Sequence, residues 1–144
     1  MRFLIVEDDY AARKILQYHL SAFGTCDFAA NGREAIEAFE TAWKESRPYT
    51  LICMDIMMPV LDGQSALHEI RRLEIEWRVS QDDAVKVIMI TALDQKREVV
   101  KAFYKGGASA YFVKPIQKEQ LIQELVSLGL IDAGTRRESR CRAG

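Results

Sequence analysis

The sequence predicts an α/β domain built on a doubly wound, five-stranded parallel sheet with helices on both faces. Five short apolar runs alternate along the chain with five segments of helical periodicity, which is the pattern of consecutive βα units. Several of these runs are apolar at successive positions, as strands buried on both faces are. Right-handed crossovers between such strands place helices on both sides of the sheet.

Capping and turn residues indicate where these elements begin and end. The predicted strands lie at residues 3–6, 26–29, 49–54, 85–90 and 109–113. The predicted helices lie at about residues 10–23, 32–43, 64–77, 95–105 and 117–128. Gly24 is expected to end the first helix as a C-cap, and Asn31 with Glu34 matches a capping box at the start of the second. Asp94 can cap the fourth helix.

Length and charge are those of one soluble domain. We expect a single domain over residues 1–130 of the 144 and a basic, flexible tail at residues 131–144, which carries four arginines without periodicity. The net charge of −1 gives no reason to expect nucleic acid or a membrane surface as a direct partner. No apolar stretch approaches the roughly 20 residues of a membrane span, and the first residues do not resemble a signal peptide. The three cysteines follow no metal-ligand spacing and are interpreted as two reduced core thiols and one exposed thiol, so a cytoplasmic location is expected.

Polar residues follow four of the predicted strands at their carboxyl ends. Glu7 and Asp8 follow the first strand, Asp55 the third, Thr91 the fourth and Lys114 the fifth. Because the carboxyl ends of parallel strands meet at one edge of a sheet, where ligand sites form, we expect these side chains to converge.

Such a cluster suits a metal ion and phosphoryl transfer. Carboxylates crowded in one small pocket repel each other, and a hard divalent cation relieves that repulsion. Mg²⁺ prefers oxygen ligands, with Mn²⁺ as an alternative. A carboxylate, a divalent cation, a lysine and a hydroxyl together match phosphoryl transfer, in which catalysis consists mainly of positioning and charge neutralisation. An Asp carboxylate can itself be the nucleophile and form an acyl phosphate.

The motifs around these residues resemble the CheY-like receiver domain of two-component response regulators. They read IVEDD at residues 5–9, MDIMMPVLDG at 54–63, ITA at 90–92 and GASAYFVKP at 107–115. The resemblance covers about residues 2–128 and implies a flavodoxin-like fold with strand order 2-1-3-4-5.

The resemblance implies a role for each residue of the cluster. Asp55 corresponds to the phosphoacceptor, and Lys114 to the lysine that pairs with the phosphoryl group. Asp8 corresponds to a direct Mg²⁺ ligand, Glu7 to its acidic neighbour, and Met57 to the position whose main-chain carbonyl completes the metal shell.

Four further residues correspond to the family's switch positions. Thr91 resembles the hydroxyl that moves to the phosphate, and Ala92 is small, as a residue beside an incoming phosphoryl group should be. Tyr111 resembles the aromatic whose rotation follows the hydroxyl inward, although it could be only a strand aromatic. Pro115 follows a peptide bond that is often cis in the family.

The implied function is that of a stand-alone response regulator in a phosphorelay, not of a turnover enzyme. A histidine kinase or histidine phosphotransfer protein would phosphorylate Asp55 and so switch a surface made by the fourth helix, fifth strand and fifth helix. That surface would bind an unknown downstream protein or a second copy in a homodimer. Ile122 and Val126 could form an exposed apolar stripe on it, or else belong to a broad core face. The alternative function is a receiver-like interaction module that works without phosphorylation.

Two features depart from the family pattern. The connection at about residues 73–84 is longer than the common form, and its role is open. The positions that flank the site, Met57 and Leu93, are apolar and offer no group to orient an attacking water. We therefore hypothesise that the phosphorylated form decays slowly.

Overall fold

The computed structural model describes residues 1–92 and 107–132. The described elements are β1 (Arg2–Val6), α1 (Tyr10–Leu20), β2 (Thr25–Ala29), α2 (Gly32–Lys44), β3 (Leu51–Asp55), α3 (Gly63–Glu76), β4 (Lys86–Thr91), β5 (Ala110–Val113) and α4 (Lys118–Ser127). The five strands form one parallel sheet in the order β2-β1-β3-β4-β5, which confirms the predicted fold class and strand order. The predicted helix at residues 95–105, its Asp94 cap and the tail beyond residue 132 lie outside the described residues.

The strand register places the carboxyl ends of the central strands side by side. Asp55, the last residue of β3, pairs with Ile90 of β4. Thr91, the last residue of β4, pairs with Val113 of β5, so Lys114 follows directly at the same edge. The polar residues that follow the strands are therefore brought together by the sheet itself.

Within residues 1–92 and 107–132, two helices pack on each face of the sheet, and each face has its own core. Because successive side chains of a strand point to opposite faces, Leu4 and Val6 pack with α2 and α3, whereas Phe3 and Ile5 pack with α1 and α4. All four side chains are fully buried. No helix within residues 1–92 or 107–132 is long and apolar enough to cross a membrane.

The inner face of α4 is broader than a single apolar stripe. Leu121, Ile122 and Leu125 are all buried in the core that α4 shares with α1, and Val126 packs against that core. Ile122 is 0% exposed. The expectation that Ile122 and Val126 form an exposed stripe for a partner is therefore wrong, and the alternative, a broad core face, is correct.

Asn31 caps α2 as predicted, although the reciprocal bond of a capping box is replaced by a side-chain contact, and the predicted C-cap of α1 is absent. Asn31 Oδ1 accepts the Glu34 N–H at 3.0 Å, and the Asn31 side-chain amide, not its backbone N–H, donates to Glu34 Oε2 at 3.2 Å. Helix α1 already ends at Leu20. Gly24 is not in a left-handed conformation; a Cβ atom there would collide with the main-chain carbonyl of Met1, which explains the glycine.

A buried carboxylate anchors the long connection between α3 and β4. Glu74 is 4% exposed, and its Oε1 lies 2.6 Å from Arg71 Nη1 while its Oε2 accepts the Val85 N–H at 2.8 Å. The Arg71 guanidinium also donates two hydrogen bonds to Gly107 O, from Nε at 3.1 Å and Nη2 at 3.0 Å. The connection is thus tied at once to α3, to the start of β4 and to the segment that leads into β5.

Replacing Glu74 with alanine is expected to destabilise the protein by about 2 kcal/mol, because the buried Val85 N–H and the Arg71 guanidinium would lose their acceptor. Glu76→Ala is the matched control: it also lies near the end of α3, but its pair with Arg72 is 57% exposed on the Glu76 side. It should cost no more than about 0.5 kcal/mol. Urea unfolding monitored by circular dichroism measures both, and equal losses would contradict the anchoring role of Glu74.

Candidate functional site

Three acidic residues meet at the carboxyl edge of the sheet. Glu7 and Asp8 follow β1, and Asp55 ends β3; one carboxylate oxygen of each lies within 4.8 Å of the others. Glu7 is 1% and Asp55 is 6% exposed, whereas Asp8 lies at the surface. Asp9, the next acid in the run, has a different role, because its side chain caps α1 by accepting the Ala12 N–H at 3.2 Å.

Lys114 supplies the positive charge of the cluster. Its Nζ lies 3.1 Å from Asp55 Oδ2 and 3.1 Å from Glu7 Oε2. Its backbone N–H donates to Thr91 O at 2.8 Å, which fixes the end of β5 beside the end of β4. Burial alone would lower the pKa of Lys114, but the hydrogen bond and charge of Asp55, followed by those of Glu7, raise it above its ordinary value.

Glu7 is the most perturbed acid of the cluster. Its burial, and next the negative charge of Asp55, raise its pKa from 4.5 to about 7. Glu7 Oε1 accepts the Asp9 N–H at 3.2 Å, whereas the buried Oε2 finds, among the described residues, no well-aligned hydrogen-bond donor beyond its ion pair with Lys114. A buried carboxylate oxygen with spare acceptor capacity, beside two further carboxylates, is a donor set that fits a hard divalent cation.

The chain after Asp55 turns sharply and stays close to it. Met57 donates its N–H to Asp55 Oδ1 at 3.1 Å, and its side chain points outward, with the residue 54% exposed. Gly63, the first residue of α3, lies against the Asp55 main chain so closely that a Cβ atom would collide with Asp55 O. Sequence reasoning missed this role of Gly63; the only signal was a glycine after the α3 cap, Asp62.

The switch candidates are arranged around the cluster at different depths. Thr91 is 0% exposed, and its hydroxyl donates to Ala92 O at 3.2 Å. Tyr111 lies further along β5, opposite Met89, and is 43% exposed. The peptide bond between Lys114 and Pro115 is cis, as the resemblance implied. Leu93 lies outside the described residues.

A cleft of about 370 Å³ lies between α1 and the segment after β5 and borders the cluster at Glu7 and Lys114. Glu7 and Lys114 form its polar end. Its remaining wall is largely apolar and includes Ile15 of α1 and Ile116 after β5. A protein side chain or a small molecule in this cleft would therefore lie against Glu7 and Lys114.

Comparison with known proteins agrees with this architecture. Residues 3–126 match the model of the response regulator receiver domain. The chain is 35% identical over 123 residues to the chemotaxis protein CheY of Halobacterium salinarum, which covers 85% of this chain and 91% of that protein. It spans half or less of the length of longer relatives, such as 50% of the response regulator MprA of Mycobacterium ulcerans, at 34% identity over 129 residues and 89% of this chain.

Two solved structures give the same result in three dimensions. A CheX–CheY complex with BeF₃ and Mg²⁺ from Borrelia burgdorferi matches with a TM-score of 0.74 and 28% identity, over 91% of this chain and 90% of that one. The Saccharomyces cerevisiae complex of the phosphotransfer protein Ypd1 with the receiver domain of Ssk1 matches with a TM-score of 0.72 and 28% identity, over 90% and 88%. The family match, the strand order and the acidic cluster agree, and the chain belongs to the response regulator receiver domain family.

Proposed function

We propose that Asp55 accepts a phosphoryl group from a phosphohistidine of a partner protein, in a Mg²⁺-dependent reaction that switches a protein-binding surface. The observation that carries this proposal is the position of Asp55. Its carboxylate is almost buried, lies within reach of two further carboxylates, and touches the ammonium group of Lys114 at 3.1 Å. A simple ion pair between Asp55 and Lys114 would not require two further carboxylates beside it.

The residues that would hold Mg²⁺ are Glu7, Asp8 and Asp55 through their carboxylates and Met57 through its main-chain carbonyl; Mn²⁺ takes the same kinds of ligand. When bound, the cation would neutralise negative charge on the transferred phosphoryl oxygens. The presence of Mg²⁺ and BeF₃ in the similar CheX–CheY structure supports this assignment.

The chain's own groups account for the remaining chemistry. A carboxylate oxygen of Asp55 attacks phosphorus, and the P–N bond to the donor histidine breaks as the new P–O bond forms. The Lys114 ammonium and the Met57 N–H, which already contact the Asp55 carboxylate, are placed to bind phosphoryl oxygens. The phosphoryl group remains on Asp55, and the chain also assists its later hydrolysis. The protein is therefore not a turnover enzyme.

Phosphorylation would then bias a two-state equilibrium. The Thr91 hydroxyl, now bonded to Ala92 O, can turn toward a phosphoryl oxygen over the small Ala92 side chain. Tyr111 is exposed on β5 and can follow it inward. The surface that changes would comprise the predicted helix at residues 95–105, β5 and α4.

The partners would be a cytoplasmic histidine kinase or histidine phosphotransfer protein and a downstream protein or second copy. The similarity to a receiver domain in complex with the phosphotransfer protein Ypd1 supports the first, and the similarity to a CheX–CheY complex supports a protein as the second.

Acetyl phosphate tests the proposed function without a partner. Incubation with acetyl phosphate and Mg²⁺ should add one phosphoryl group, detected by intact-mass spectrometry and located by peptide mapping to the peptide that contains Asp55. The same incubation with EDTA should add none. Absence of labelling in Mg²⁺, with an established receiver domain labelled in parallel, would favour the alternative of an interaction module that works without phosphorylation.

The phosphorylated form is expected to decay faster in Met57→Asn than in the wild type. Met57 is 54% exposed at the mouth of the site, and its thioether cannot orient an attacking water, whereas an amide can. Loss of the phosphoryl group after removal of acetyl phosphate gives both rate constants. Met57→Leu is the control, because it changes the side chain without adding a polar group. Equal or faster decay in the wild type would exclude this explanation.

A further inference from the structure

The loop of residues 57–62, which follows the phosphoacceptor, contains a strained turn. Val60 has a φ of +70°, and Leu61 donates its N–H to Pro59 O at 2.8 Å, which is a γ-turn of the positive-φ kind. A β-branched residue with positive φ is an outlier, and at 73% exposure the Val60 side chain is not held by packing. Strain of this kind, about 1–3 kcal/mol, persists only where the surrounding structure fixes the backbone.

The restraint outside the loop comes from Gly32, the first residue of α2. Its N–H donates to Leu61 O at 2.9 Å. Within residues 1–92 and 107–132, it is the one backbone–backbone hydrogen bond that joins the interior of the loop to an element other than β3 and α3, which flank the loop.

Gly32 is a glycine because of this contact and not because of its dihedral angles. It is buried, and a Cβ atom there would lie 2.5 Å from Leu61 O and 3.0 Å from both Asp62 O and Ala66 Cβ. Its φ is not positive, so an alanine could adopt the same backbone conformation and would be the better helix former. The close approach of α2 to the loop, and to Ala66 of α3 beyond it, excludes a side chain.

The two ends of the loop are fixed independently of Gly32. At the start, Met57 donates its N–H to Asp55 Oδ1 at 3.1 Å. Across the base, Gly63 donates its N–H to Ile56 O at 2.8 Å. If the middle of the loop were released, the strained turn could relax only by moving the backbone between these ends, which includes the Met57 carbonyl.

We propose that Gly32 is a positioning residue of the phosphorylation site. Its contact with Leu61 holds the turn at Val60 and thereby keeps the Met57 carbonyl where a bound Mg²⁺ needs it. This inference rests on the proposed function, because it assumes that Met57 supplies a metal ligand.

Calorimetric titration of the unphosphorylated protein with Mg²⁺ tests this positioning role. We expect Gly32→Ala to weaken Mg²⁺ binding about tenfold, the usual effect of losing a group that orients a metal ligand. Glycine adopts positive φ without strain, so in a Val60→Gly background the turn should persist without the restraint. In this background, Gly32→Ala should weaken Mg²⁺ binding by a markedly smaller factor. Such a coupling between positions 32 and 60 would not arise from general damage to α2.

Each outcome decides a separate question. Unchanged Mg²⁺ affinity in Gly32→Ala, or an equal loss in both backgrounds, overturns the positioning role while the proposed function stands. A wild-type protein that does not bind Mg²⁺ overturns the proposed function and the positioning role with it. If circular dichroism shows that Gly32→Ala does not fold, Asn31→Ala takes its place, since it removes the α2 cap without adding atoms at the contact. It too should weaken binding more with Val60 than with glycine at that position, and equal losses overturn the positioning role.

Discussion

Asp55→Asn is expected to abolish phosphorylation by acetyl phosphate or by a phosphohistidine donor while the fold is retained. Asparagine has nearly the same shape as aspartate, so its side-chain oxygen can still accept the Met57 N–H that Asp55 Oδ1 accepts at 3.1 Å. An amide is not a nucleophile at neutral pH and cannot form the acyl phosphate. It also removes one negative charge from the cluster, so the variant should fold at least as readily as the wild type.

Asp62→Asn is the matched control for this variant, because it makes the same chemical change seven residues away. Asp62 is exposed and caps α3 by accepting the Ser65 N–H at 2.7 Å, and asparagine caps helices about equally well. Phosphorylation should therefore be kept in Asp62→Asn and lost in Asp55→Asn, as measured by intact mass after a fixed incubation. Labelling that persists in Asp55→Asn would move the phosphoacceptor to another acid, with Asp8 the first to be examined.

The sheet and the position of the site were predictable because they depend on long and redundant signals. A run such as residues 49–54 is apolar at nearly every position, and a parallel sheet brings all of its carboxyl strand ends to one edge. The convergence of Glu7, Asp55 and Lys114 thus follows from topology alone, without any knowledge of side-chain packing.

The features that sequence reasoning missed depend on single tertiary contacts that involve only a few atoms. Arg71 and Glu74 are spaced like a solvent-exposed ion pair of a helix, and only the fold shows that Glu74 is buried against the Val85 N–H. Valine is among the least suitable residues for positive φ, so nothing in the chain points to the turn at Val60.

Ile122 shows a different reason for failure. Helical periodicity predicts which residues share a face of α4, but not how wide a face the neighbouring elements cover. Here α1 and the segment after α4, which includes the buried Ile131, extend the core around the helix.

The metal-free protein is expected to lose stability as the pH rises from about 5 to 8. The pKa of Glu7 is about 7 in the folded protein, against an ordinary value of 4.5, because burial and the charge of Asp55 disfavour its ionised form. Between these two values the folded state holds a proton that the unfolded chain has released, so the free energy of unfolding decreases with rising pH. A shift of this size corresponds to about 3 kcal/mol at most, fully lost above pH 7.

Glu7→Gln should remove most of this pH dependence, because glutamine stays neutral throughout the range. The wild type and the variants must be compared with each other, because a second group also makes stability depend on pH. Burial lowers the pKa of His19 below its ordinary value of 6.5, so below pH 6.5 His19 makes the free energy of unfolding increase with pH. Glu37→Gln, an exposed change on α2, serves as the control and should keep the wild-type slope. Urea unfolding at pH 5, 6, 7 and 8 in EDTA measures all three proteins.

Mg²⁺ should reverse the effect at high pH, because the cation would replace the proton as the partner of the crowded carboxylates. Its stabilising effect in the wild type should therefore grow as the pH passes through 7, where Glu7 becomes ionised, and should be much weaker in Glu7→Gln. If the stability of the wild type in EDTA changes with pH by the same amount as that of Glu7→Gln, Glu7 is ionised in the folded protein over this range. A proton on Glu7 would then not balance the charge of the cluster before the metal binds.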